Sequence, residues 1–80
     1  MSIEHHRLVR ELPEHADRIR ELRQTDAHFA RQLDEYHALD DRIYRSEIRL
    51  ETLCDESLEA LKKQRAQLKD RLYQQLVQPA

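Results

Sequence analysis

Apolar positions recur along this chain at alternating three- and four-residue intervals, the spacing of helices that bury one stripe of their surface. From Leu12 onward a heptad register runs without interruption. One seam position holds Leu12, Ile19, Asp26, Leu33, Asp40 and Glu47, and the other holds His15, Leu22, Phe29, Tyr36, Ile43 and Leu50. The second set is apolar or aromatic everywhere except at His15. Between the seams lie Arg, Glu, Asp, Gln and Ala, all compatible with helix. The pattern predicts one long helix over about residues 13–53. Pro13 suits its first turn, where a missing N–H costs nothing, and it pushes Leu12 out of helical geometry. Thr25 and Asp26 are cap-prone and mark a place for a kink or a restart; the unbroken register favours continuity.

Upstream of Pro13, the residues Ile3, Leu8, Val9 and Leu12 predict a short helical segment. Downstream, Asp55 reads as an N-cap, with Glu56 and Glu59 in the first turn, where the helix dipole favours acids. Leu58, Leu61, Arg65, Leu68 and Leu72 continue at helical spacing, with Leu76 one step off the seam and Pro79 as a stop. A second helix is therefore expected over about residues 56–77. The fold class is all-α: a single coiled-coil-like domain over residues 1–80, built as an antiparallel helical hairpin with a short N-terminal helical segment.

A turn centred on residues 54–57 fixes which residues should face each other. Leu50 would meet Leu61, Ile43 would meet Leu68, and Tyr36 would lie near Leu76. Glu47 would oppose Arg65, and Asp40 would fall near Lys69 and Leu72. Opposite charges placed on a seam cost some stability but disfavour slipped pairings; the alternative is that Glu47 and Arg65 reach out to solvent. At ~1.5 Å per residue the long helix spans ~60 Å and the short one ~33 Å. The N-terminal half of the long helix, with Ile19, Leu22 and Phe29, would then lack a partner in the second helix. Such a stripe needs cover. The segment around Ile3 and Val9 is short for the task, which points to a homodimer or tetramer, with Ile19, Leu22 and Phe29 as the interface for a second copy or another protein.

Composition narrows the functional choices. Eighty residues without glycine leave no phosphate-cradling loop, dinucleotide fingerprint or nucleophile elbow, since those turns need a residue lacking Cβ. Thirty charged residues and a net charge of −2 supply no global attraction to nucleic acid or to an anionic membrane. The lone Cys54 cannot form an internal disulfide, and the N-terminal residues show no signal-peptide pattern, so a cytoplasmic location is expected.

The candidate chemistry is weak. Five histidines (His5, His6, His15, His28, His37) raise the idea of a metal, and Asp34 with His37 and Glu11 with His15 have helical ligand spacing. No histidine follows residue 37, so the second helix offers none, and surface histidines explain the set. Cys54 lies near a helix start, which favours a thiolate, but Asp55 and Glu56 beside it act in the opposite sense. Between Leu61 and Arg71 five cations accompany one acid, a possible contact for phosphates. With Arg65 on the seam and Lys69 facing Asp40, only Lys62, Lys63 and Arg71 remain for nucleic acid. A solvated basic face that complements an acidic long helix is the simpler reading. No catalytic residue, cofactor, metal site, membrane contact or small-molecule substrate is expected.

The same residues carry a family resemblance. Leu12-Pro13-Glu14, Asp26-Ala27-His28-Phe29-Ala30, Asp34-Glu35-Tyr36-His37, Leu39-Asp40 with Glu47 downstream, and Leu61-Lys62-Lys63-Gln64-Arg65 followed by Leu68-Lys69-Asp70 and Leu72-Tyr73 resemble the YdcH-like family of small bacterial proteins. The resemblance covers about residues 4–76, and Cys54 departs from it where a small polar residue would be usual. It implies a coiled-coil-like helical hairpin in a cytoplasmic bacterial protein, and it brings no activity, because the family is a domain of unknown function. The expected role is accordingly non-enzymatic, through protein–protein contact or oligomeric assembly, with a nucleic-acid-associated role as the alternative.

Overall fold

A computed structural model of the chain describes residues 7–48 and 53–78, and the statements below concern those residues. Expectations placed on Ile3, His5, His6, Leu50 and Pro79 lie outside them. The described chain is all-helical, in the order α1 (Leu8–Glu11), a 3-10 turn (Pro13–His15), α2 (Ala16–Thr25), α3 (Ala27–Glu47) and α4 (Asp55–Val77). Leu12 leaves helical geometry at φ −129° and ψ 63°, as the residue before a proline must when it is excluded from the α region.

The expected long helix is two helices. The break falls at Asp26, whose backbone is extended at φ −125° and ψ 103°. Two side chains make it. Thr25 Oγ1 donates back to the Glu21 carbonyl at 2.9 Å, closing the end of α2. The Asp26 carboxylate accepts from the Phe29 N–H at 3.1 Å, satisfying one of the orphan donors that open α3. The break lets α2 turn back along α3, where Arg23 lies 4.0 Å from Asp34.

This fold-back corrects the expectation for Ile19, Leu22 and Phe29. Ile19 (1% exposed) and Phe29 (0%) belong to the chain's own core, with Leu22 packed half-buried against it. The same core takes in Leu8 from α1, Leu33 and Tyr36 from α3, and Leu68, Leu72 and Leu76 from α4. Fully burying side chains of this kind stabilises by about 1.5–3 kcal/mol each, so the stripe has its cover within one chain.

Helices α3 and α4 run in opposite directions, with Gln75 on α4 donating to Gln32 and Arg65 reaching Asp40. These pairs correct the register. Arg65 meets Asp40, not Glu47, and Asp40 takes Arg65, not Lys69. The slip amounts to between one and two helical turns. It goes with the helix bounds: α3 ends at Glu47, short of residue 53, and α4 starts at Asp55.

The start of α4 differs in one detail. Cys54, not Asp55, is the N-cap, and its sulfur accepts from the Ser57 N–H at 3.4 Å. Asp55 is instead the first helical residue, where its charge still favours the dipole. Among the described residues no helix is long and apolar enough to cross a membrane.

Candidate functional site

The chemistry of the molecule gathers around one buried carboxylate. Asp40 occupies a core-facing position of α3 and is 0% exposed. A carboxylate taken out of water requires charged or hydrogen-bonding partners. Arg65 supplies one from α4, its Nη1 donating to Oδ1 at 3.1 Å. Arg7, just ahead of α1, brings a second cation, with Nε 4.0 Å from Asp40 Oδ2. Arg7 also donates from Nη2 to Asp41 at 2.6 Å and from Nη1 to the His37 carbonyl at 3.4 Å. One guanidinium thus fastens the N-terminal turn to the middle of α3, and a second fastens α4 to the same point.

Tyr36 and His37 border this cluster. Burial pushes the Tyr36 phenol up to about 12, and the negative charges of Glu11 and Asp40 push it the same way. The phenol is therefore neutral across the physiological range. Burial lowers the pKa of His37, with Arg7 and Arg23 adding repulsion against a second positive charge. Its Nε2 is buried with no hydrogen-bond partner, consistent with a neutral imidazole. The arrangement holds charges in place: the acids face guanidiniums, and the groups beside them stay neutral.

The other candidates are dispersed. His15 stacks edge-on against Tyr73 of α4, with ring centroids 5.7 Å apart, and so helps dock the 3-10 turn. Among the described residues no group of three or more His, Cys, Asp or Glu could hold a metal. Lys62 and Lys69 are half-buried on α4, while Lys63 and Arg71 are exposed. Lys63 borders a surface depression that it shares with Asp55, Glu56 and Glu59, so acids surround it. Arg71 lies on a different groove, beside Glu35. The basic residues therefore do not form one continuous patch. Cys54 is exposed, and the Ser57 hydroxyl, 3.1 Å from its sulfur, lowers the thiol pKa.

Arg7 and Asp41 escaped the sequence reading. The available signal was the adjacent acid pair Asp40-Asp41, which calls for more than one cation, and an arginine directly before the apolar turn of α1.

A family model described as a protein of unknown function, DUF465, matches residues 29–76. The chain belongs to this family. The YdcH-like small bacterial proteins, to which the sequence is similar, are members of it. The matched stretch of this DUF465 protein runs from the first turn of α3 to the last turn of α4 and so contains both Asp40 and Arg65. Arg7, α1 and α2 lie upstream of it. No curated protein and no solved structure matched the chain.

Proposed function

We propose that this protein is non-enzymatic and works in the cytoplasm through protein–protein contact, assembling with copies of itself. The observation that carries the reading is the flank of α3 and α4 that lies away from α1 and α2. Leu39 is half-buried there and Ala38 exposed, above a groove shared with Gln64, Gln67 and Leu68. The strip is lined by leucine, alanine and glutamine together with Glu35, Arg42 and Arg71, a mixture of apolar and oppositely charged groups that suits contact with a complementary protein surface. The engagement of Asp40, Arg65 and Arg7 with one another supports a structural duty for the buried polar groups. The single cysteine supports the location.

Co-expression of two differently tagged copies tests the assembly. Capture through one tag is expected to bring down the other in comparable amount. Recovery of the captured copy alone would contradict the reading.

A further inference from the structure

Among the described residues nothing packs over this flank of α3 and α4, and the flank carries a symmetry that names its occupant. On α3, residues 35, 38, 39 and 42 fall on one helical stripe, at intervals of three and four. The opposite flank of the same helix is taken: Arg7 sits on Asp41 and the His37 carbonyl, and Arg23 approaches Asp34. The stripe of Glu35 lines two adjoining grooves of about 190 and 370 Å³, both of which include Leu39 and Gln64. Glu35 and Arg42 are exposed and bear opposite charges at equal distances on either side of the Ala38-Leu39 midpoint. An antiparallel copy of α3 laid along this stripe therefore sets each Glu35 against an Arg42, twice over, with the small Ala38 at the centre where the helices approach most closely. A stripe complementary to itself under a two-fold rotation is what an isologous dimer requires. Arg42 already engages its own chain, and a guanidinium has further N–H donors with which to hold a second carboxylate.

We propose that α3 forms a two-fold homodimer in which Ala38 and Leu39 straddle the axis and Glu35 of each protomer meets Arg42 of the other. This deepens the assembly reading and rests on it. The partner is a second copy of this chain, and the contact is antiparallel.

Charge exchange between protomers tests it, read as molecular mass by light scattering on the full chain, with circular dichroism to follow folding. Glu35→Arg and Arg42→Glu, each alone, place like charges against each other at both ends of the stripe and weaken the dimer about tenfold or more. An equimolar mixture of the two variants restores dimer mass, because the heterodimer is complementary at both ends. The double variant E35R/R42E regains it as a homodimer. Arg42→Gln, which removes charge without reversing it, serves if R42E does not fold, and is expected to weaken the dimer by a smaller factor. Single variants that keep the wild-type dimer mass, or a mixture that stays monomeric, would overturn this contact while leaving self-assembly standing. A monomeric wild-type control would overturn both.

Discussion

Arg65 on α4 donates to Asp40 on α3 at 3.1 Å, and the carboxylate it meets is wholly shielded from solvent, with the Arg65 side chain itself only 16% exposed. The pair ties the two long helices at one register. Removing Asp40 leaves the Arg65 guanidinium without its carboxylate, and removing Arg65 leaves the buried Asp40 with the more distant Arg7 cation, so Asp40→Ala or Arg65→Ala is expected to cost about 3 kcal/mol. Replacing both with apolar residues of similar volume, as in Asp40→Leu with Arg65→Met, recovers most of that loss. Urea unfolding of the four species closes the cycle. Additive losses would show that the two residues act independently.

Asp26 has a separate role, at the start of α3. Its carboxylate caps the Phe29 N–H, and Asp26→Ala is expected to lower stability by about 1 kcal/mol. Asp26→Asn, which keeps an acceptor, should lose much less. Equal losses in the two variants would place the effect elsewhere than in the cap.

Phe29 is a core residue, and its substitution should read as one. Phe29→Ala is expected to cost about 3–5 kcal/mol in unfolding free energy, from lost burial and the cavity left behind. Because the loss is internal to one chain, the folded fraction should keep the wild-type mass. A stable variant of reduced mass would return Phe29 to an interface.

His37 gives stability a dependence on pH whose sign follows from its surroundings. Burial, with Arg7 and Arg23 behind it, holds the folded pKa below the ordinary 6.5, although Asp40 and Asp41 act in the opposite direction. As pH falls through 6.5 the unfolded chain takes up the proton first, so stability is full above that value and declines below it, until folded His37 is itself protonated. Unfolding midpoints measured between about pH 7.5 and 5 should fall with acidification in the wild type and fall less in His37→Gln. Parallel profiles would remove His37 from the account.

Much of the fold was legible in the pattern of residues. The all-helical class followed from the three-four spacing, and α4 at Asp55–Val77 lies within a residue of the span that its leucine spacing predicts, with Cys54 taking the cap expected of Asp55. The break at Asp26 was not settled, because a seam position keeps its place in a heptad count whether or not the backbone is continuous. Only the competing hydrogen bonds of Thr25 and Asp26 decide it. With that break undecided, Ile19 and Phe29 looked uncovered, since a straight helix would carry them beyond the reach of α4. Asp40 stood out as a seam charge, but its partner depended on where α3 ends, and an α3 that ends at Glu47 pairs Arg65 with Asp40 and not with Glu47. The role of Arg7 rests on a contact across the fold that local spacing does not encode. Cys54 looked like an unexceptional turn residue because sulfur is an uncommon cap.

The central claim is that the uncovered flank of α3 and α4 serves assembly while the polar groups inside serve the fold. Sedimentation equilibrium of the wild-type chain over a wide concentration range tests it most directly. The account predicts a mass near twice the 9.7 kDa of one chain, falling toward the monomer on dilution. A mass of one chain at every concentration would contradict it.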